Sequence, residues 1–260
     1  MLIDSHCHLD FADFDAERDE LVDRAHAAGV KQMVTISTRV RKLDTLLALT
    51  ERYPSVFCSV GTHPNNADEE LDVTADDLVR LAEANTKVVA IGEAGLDYFY
   101  DTQRPDDQKT GLRRHIEAAR RTQLPLVIHS RSADEDMAAI LTEETGKGAF
   151  PFILHCFSSG QALADTGVAL GGYVSFSGIL TFPKSTELRD IAKTVPMDRL
   201  LVETDAPYLA PKRWRGKRNE PSYVVNTAEV LAEVKGVSYE EIARITTENA
   251  FRCFSKMPKL

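Results

Sequence analysis

Two patterns of apolar positions alternate along this chain. Short runs of β-branched and other apolar residues are separated by longer stretches in which apolar residues recur every three or four positions. The runs Leu2–Asp4, Gln32–Ser37, Val56–Gly61, Val88–Glu93, Leu126–His129, Phe152–His155, Tyr173–Ser177 and Leu200–Asp205 are predicted strands. Most are continuously apolar, as parallel strands covered on both faces are. The intervening stretches predict helices. Leu112, Ile116 and Ala119 share one helical face ahead of the fifth run, which Pro125 opens, and Gly29 closes the helix ahead of the second. Eight strands in βα alternation predict an α/β fold, a (β/α)8 TIM-type barrel or a distorted version of one. A doubly wound open sheet ranks well behind, because its usual glycine-rich first turn is replaced by Ser5-His6-Cys7-His8. After the eighth run, residues 206–221 read as a loop rich in proline and basic residues. Val224, Ala228, Leu231 and Val234 then mark an amphipathic helix, and Ser238 with Glu241 fits a capping box for another. No boundary divides the chain, so residues 1–260 are expected to form a single domain.

Composition narrows the class. With 260 residues, 43% hydrophobic and 27% charged, the chain has the size of one such barrel and the make-up of a globular protein. No apolar run reaches membrane-spanning length, and Met1-Leu2-Ile3-Asp4 does not open an export signal. Cys7, Cys58, Cys156 and Cys253 are scattered, without zinc-ribbon or CxxC spacing. A cytoplasmic protein with reduced thiols, no membrane association and no obligate protein partner is therefore expected. A net charge of -9 argues against a nucleic-acid coat protein but not against a nuclease, since bound cations supply local positive charge.

The chemistry lies in the histidines. His6 and His8 follow the first strand at i, i+2, so in extended backbone they point the same way. His63 comes just after the third strand, Glu93 ends the fourth, His129 the fifth, His155 the sixth and Asp205 the eighth. In a closed barrel these are one rim, where such folds build active sites. A single strand-end histidine is more often structural, and His63 alone is an even choice. The HxH pair and carboxylates at the ends of apolar strands are costly without a cation. His6, His8, Glu93, His129, His155 and Asp205 are thus predicted metal ligands. His26 and His115, among charged residues in helical stretches, are expected on the surface. Four imidazoles and two carboxylates suit Zn2+, Mn2+ or a related ion better than a pure Mg2+ site, and exceed what one tetrahedral ion takes. Two divalent ions bridged by Glu93 are expected. Asp205 would orient the attacking water and accept its proton. Arg131 is a candidate phosphate clamp, and Asp97 and Tyr98 are candidates to support the ligands from behind. Lys212, Arg213, Arg215, Lys217 and Arg218 form a basic cluster beside Asp205, expected to contact phosphate, the alternative being a solvated charged loop. Trp214 could stack a base or pack on the barrel.

These residues sit in motifs that resemble a known family. Asp4-Ser5-His6-Cys7-His8-Leu9, Gly92-Glu93-Ala94-Gly95-Leu96-Asp97, His155-Cys156-Phe157-Ser158, Glu203-Thr204-Asp205-Ala206-Pro207-Tyr208, Arg218-Asn219-Glu220-Pro221 and Thr247-Glu248-Asn249-Ala250 look like the motifs of TatD-type metal-dependent deoxyribonucleases, an amidohydrolase-like branch, in the family's order. The resemblance implies the same six ligands, catalytic roles for Asp205 and Glu93, and substrate contacts by residues such as His63, Arg218 and Asn219. It also implies DNA as substrate, 3′-to-5′ exonucleolytic action and support by Mg2+ or other divalent ions. The chain departs from the pattern at Asn65, where the family often has a second histidine, and at Cys253, where leucine is frequent. Glu93 stands where distant amidohydrolases use a carboxylated lysine. Two competing readings stay open: hydrolysis of an amide or ester such as an aminoacyl-tRNA bond, and a non-catalytic metal-binding scaffold.

Overall fold

A computed structural model describes residues 1–100 and 104–260. Its strands are β1 (Leu2–Cys7), β2 (Val30–Thr35), β3 (Val56–Val60), β4 (Val88–Asp97), β5 (Leu126–Arg131), β6 (Phe152–Leu154), β7 (Tyr173–Phe176) and β8 (Leu200–Val202). They form one parallel sheet in chain order. The ring closes at a seam between β1 and the segment after β8. Cys7 and Ala206 form an isolated parallel bridge, Asp205 N–H donates to the His6 carbonyl at 2.9 Å, and His8 N–H donates to the Ala206 carbonyl at 2.8 Å. The predicted (β/α)8 barrel is present, with β6 and β8 cut to three residues each.

Helices α1 (Arg18–Ala27), α2 (Leu43–Arg52), α3 (Ala75–Ala84), α4 (Pro105–Thr122), α5 (Asp134–Lys147), α6 (Gln161–Ala169) and α7 (Thr186–Thr194) alternate with the strands. Helices α8 (Val224–Lys235) and α9 (Tyr239–Cys253) follow β8. The strands read as unbroken apolar runs because alternate residues are buried in two different places. One set, including Leu2, Met33, Val56 and Leu126, packs against helix residues such as Leu21, Leu46 and Ile116. The other set, Ile3, Val34, Phe57, Val89, Val127, Ile153 and Leu201, packs with Phe254 and Met257 from the chain's end. This second layer fills the barrel, and the segment after α9 stoppers its lower end. Only the rim formed by the C-terminal ends of the strands is left open for ligands.

Several boundaries differ from the sequence reading. β4 continues past Glu93 to Asp97, with all ten residues buried. β8 stops at Val202, which leaves Asp205 on the following loop in a left-handed conformation (φ 57°). Ser238 caps α9 by accepting from Glu241 N–H at 3.2 Å, but the Glu241 carboxylate bonds Arg244 and does not complete the box. A full capping box occurs instead at α3, between Thr74 and Asp77. His115 is not a surface residue. It is buried in α4, where Nε2 accepts from Thr62 N–H at 3.0 Å and Nδ1–H donates to the Gly111 carbonyl at 2.8 Å. His26 is half-buried against the Ser55 hydroxyl. Among the described residues no helix is long and apolar enough to cross a membrane.

Candidate metal centre

Five strands each deliver part of the site. His6 lies in β1 and His8 just beyond it, Glu93 is in β4, His129 in β5, His155 one residue past β6, and Asp205 three residues past β8. All six side chains meet, grouped about the two oxygens of Glu93. On the Oε2 side, His6 Nε2 lies 3.6 Å from Glu93, 3.2 Å from His8 Nε2 and 3.5 Å from Asp205 Oδ1, and His8 Nε2 is 3.5 Å from the same Asp205 oxygen. On the Oε1 side, His155 Nε2 is 2.7 Å and His129 Nδ1 3.1 Å from Glu93, and the two nitrogens are 3.5 Å apart. The sequence dictates this closeness at Gly95. A Cβ there would run into the His129 carbonyl, so only glycine lets β4 lie against β5 with Glu93 beside His129.

The hydrogen bonds behind the rings decide what the cluster can hold. His8 Nδ1 lies 3.2 Å from the Ile36 carbonyl, His129 Nε2 lies 3.1 Å from Asp97 Oδ2, and His155 Nδ1 lies 3.1 Å from Glu203 Oε1. Carbonyl and carboxylate oxygens only accept, so each outer nitrogen carries the ring's hydrogen. In the neutral ring the inner nitrogen is then a bare lone pair, and all three lone pairs face Glu93 or Asp205 oxygens. Lone pairs opposed to carboxylates need positive charge between them. A protonated ring meets that need at each position separately; a divalent cation meets it for several donors at once. Nitrogen and oxygen donors in this proportion suit such a cation.

The electrostatics follow the same geometry. Burial alone would raise the Glu93 carboxyl, but His155 and His63 and the bonds from His129 and His155 hold it well below the usual range. Burial opposes charge on His155, yet Glu93 and Glu203 lift it well above an ordinary imidazole. His6 goes the other way, pushed well down by burial and by neighbouring His155. Its Nδ1 is buried without a partner among the described residues.

Other expected residues have varied placements. His63 is near the cluster, with Nε2 3.6 Å from Glu93 Oε1, and Asn65 Nδ2 reaches Asp97 at 3.4 Å. Arg131 is exposed, its guanidinium 3.7 Å from the centre of the Phe99 ring and 5.5 Å from that of Tyr100. Asp97 supports His129 as expected, whereas the Tyr98 hydroxyl is bound to Asp136 at 2.8 Å and touches no ligand. Two expected substrate contacts have partners within the fold. Asn219 is fully buried, and its amide donates to the Thr204 and Tyr208 carbonyls at 2.8 and 2.6 Å while its oxygen accepts from Glu220 N–H. It shapes the loop that carries Asp205 and has no surface to offer a substrate. Arg218 is committed to Glu17 at 2.7 Å and to the Asp13 carbonyl, over the Phe14 ring. Lys212, Arg213, Arg215 and Lys217 are exposed. Trp214 packs, stacked 4.6 Å from Tyr223 with Nε1–H donating to Asn226.

Sequence reasoning passed over Glu203 and Asp4. Glu203 holds both the His155 ring and the Cys156 amide, and a carboxylate inside an apolar strand run was its available signal. Asp4 accepts from Thr204 N–H and hydroxyl at 2.9 and 2.5 Å, and burial pushes its carboxyl up to about 8 against those bonds. Around the mouth, Phe99, Tyr100 and Tyr208 are 54, 48 and 53% exposed, the only large aromatic residues so exposed among the described residues. A cavity of about 810 Å³ adjoins the cluster without containing any of the six donors; Ser130, Arg131 and Ser158 are in its wall.

Known proteins match this chain along its length. A family model described as TatD related DNase matches residues 3–255. The Bacillus subtilis protein named uncharacterized metal-dependent hydrolase YabD is 42% identical over 256 residues, covering 98% of this chain and 99% of its own. The Mycobacterium tuberculosis protein named uncharacterized metal-dependent hydrolase TatD is 40% identical over 261 residues, covering 97% of each. The crystal structure of YJJV, a TatD homologue from Escherichia coli, superposes with a TM-score of 0.91 at 31% identity, covering 99% of this chain and 98% of that one. Barrel, rim and match over nearly the whole length agree: this chain belongs to the TatD-related DNase family of metal-dependent hydrolases.

Proposed function

We propose that the chain hydrolyses phosphodiester bonds in DNA as a 3′-to-5′ exodeoxyribonuclease using two divalent ions, with Zn2+, Mn2+ and Mg2+ as the candidates. The observation that carries this reading is the division of six donors between the two oxygens of Glu93. His6, His8 and Asp205 would hold one ion and His129 and His155 the other, with Glu93 shared; bound there, the ions would supply Lewis acidity and ease the ionisation of water. The protein's own groups do the rest. The Asp205 side chain is 14% exposed, so it can reach an attacking water, orient it and accept its proton. Asp97 and Glu203 keep the His129 and His155 rings turned toward Glu93. Arg131 has no carboxylate partner among the described residues; it lies over the Phe99 ring and donates one N–H to the Tyr100 hydroxyl at 3.5 Å, and its other N–H groups can bind a phosphate. Phe99, Tyr100 and Tyr208 offer π-faces on which bases can stack. The DNase description of the family favours the same substrate.

The test is a 5′-labelled oligonucleotide incubated with protein in a series of Mg2+, Mn2+ and Zn2+. The expected product is a ladder shortened one nucleotide at a time from the 3′ end. His129→Ala and Asp205→Asn should each cut the rate by about a thousandfold or more while the circular dichroism spectrum stays native. Cleavage of aminoacyl esters or amides with intact DNA would replace the substrate in this reading. No hydrolysis of either class by metal-loaded protein would replace the enzyme by a scaffold.

A further inference from the structure

We infer that Asn219 is a positioning residue: its buried amide, braced from behind by Glu220 and Arg24, sets the turn that aims Asp205 at His6 and His8. Only the role given to Asp205 rests on the reading above; the hold on the turn does not. Asp205 needs that hold. It lies outside the sheet, past the end of β8, with a left-handed backbone (φ 57°) that an L residue keeps only where its surroundings over-determine it. On one side β1 fixes the turn, through the bonds from Asp205 N–H to the His6 carbonyl and from His8 N–H to the Ala206 carbonyl. On the other side Asn219 fixes it. Nδ2 donates to the Thr204 and Tyr208 carbonyls, which flank Asp205, at 2.8 and 2.6 Å, and the Asn219 backbone N–H donates to the Pro207 carbonyl at 3.0 Å. Oδ1 accepts from Glu220 N–H at 2.9 Å. With both hydrogens and the oxygen so engaged the amide has one orientation, since a flipped amide would oppose its oxygen to two carbonyl oxygens.

The hold reaches further back. The buried Glu220 carboxylate receives the Arg24 guanidinium of α1 at two points, Nε 3.0 Å from Oε1 and Nη2 2.7 Å from Oε2, and the Ser222 hydroxyl also donates to it. Such a two-point pair fixes direction as well as distance. Arg24 is itself bound to Glu17 at 2.9 Å, and Glu17 also receives Arg218. Arg218, Asn219 and Glu220 thus form a bracket. Its outer members are fastened to α1 and the segment before it, and its middle member faces inward. That segment follows closely on His8 in the chain. The bracket therefore fixes Asp205 against the stretch that carries His6 and His8, and Asp205 Oδ1 ends 3.5 Å from Nε2 of each. His129 and His155, from β5 and the end of β6, make no hydrogen bond to the bracket among the described residues. A loosened bracket should accordingly cost the ion shared by His6, His8 and Asp205 and spare the one between His129 and His155.

The experiment compares full-length wild type with Asn219→Asp, which keeps the side chain's shape and turns both donors into acceptors. Amide hydrogen exchange over residues 203–210, with and without Mn2+, should speed up about tenfold or more in the variant while the strands stay protected. In calorimetric titration with Mn2+, one ion should bind as in wild type and the other about 10- to 100-fold more weakly. On DNA, kcat should fall with KM unchanged. Leu78→Ala, a buried residue of α3, is the control for a merely structural role: it should lower the melting temperature and change neither exchange over 203–210 nor ion binding. Arg24→Ala acts from the exposed end of the bracket and should repeat the Asn219→Asp changes in smaller measure, which keeps the test decisive if Asn219→Asp does not fold. Wild-type exchange over 203–210 in a folded bracket variant, equal weakening of both ions, or the same changes in Leu78→Ala would each overturn the inference. Wild-type protein that cuts no DNA would instead remove the substrate reading, while exchange and ion titration still decide the role of Asn219.

Discussion

His115 sits in α4 with the Thr62 amide and the Gly111 carbonyl as partners, and burial holds its pKa down to about 4. In the folded chain it stays neutral as pH falls below the ordinary value near 6.5, while the unfolded chain takes up the proton. Its contribution is therefore complete above about pH 6.5 and is lost as pH falls toward 4, a loss of roughly 3 kcal/mol. His115→Gln should flatten the stability profile across that window, with the gap to wild type narrowing as pH falls; urea midpoints at pH 7 and pH 4.5 measure it. Arg113, Arg114 and Glu117 surround this histidine in sequence and suggest a surface position that the structure does not give it. Its spacing from Leu112 and Ala119, three and four residues away, already put it on the buried face. The six donors, by contrast, were legible as polar residues at the ends of apolar runs. Asn219 and Arg218 were not, since no spacing rule shows whether an amide or guanidinium turns inward to hold a loop.

An apolar run shows where a strand lies but not where it ends. The apolar runs mark all eight strands, yet β4 extends four residues beyond Glu93, where Gly95 and Asp97 interrupt the apolar pattern. The glycine is instead the place where β4 and β5 touch. Gly95→Ala must push the backbone of β5 away at His129. We expect a stability loss of about 3 kcal/mol or more and weakened divalent-ion binding, from urea denaturation and ion titration. Gly171→Ala is the matched control: its Cβ meets nothing within 4 Å, and its positive φ (89°) brings only local backbone strain. Equal losses in the two variants would reduce the Gly95 effect to backbone conformation alone.

Over the whole molecule, a net charge of -9 coexists with cationic and aromatic groups gathered near the open end. Phosphate contacts release counterions, so each cation that touches a single strand adds about 0.7 to the salt slope of binding. Replacing Lys212 and Lys217 together by alanine, in an Asp205→Asn background that prevents cleavage, should lower that slope by about 1.4. Arg218→Ala should leave the slope unchanged and lower the melting temperature, since its partners are Glu17 and the Asp13 carbonyl. Titration of a fluorescent oligonucleotide at several salt concentrations, with a thermal melt, separates the two.

The seam where the barrel closes has one further consequence. The strand partners there are Cys7 with Ala206 and His6 with Asp205, so the last stitch of the cylinder is made by residues between or among the donors themselves. Any motion that unzips the first and last staves also pulls two halves of the same donor group apart. Shape and charge are thereby tied together: a cation held in the mouth would act as a rivet on the cylinder, and loosening the cylinder would loosen its hold on the cation.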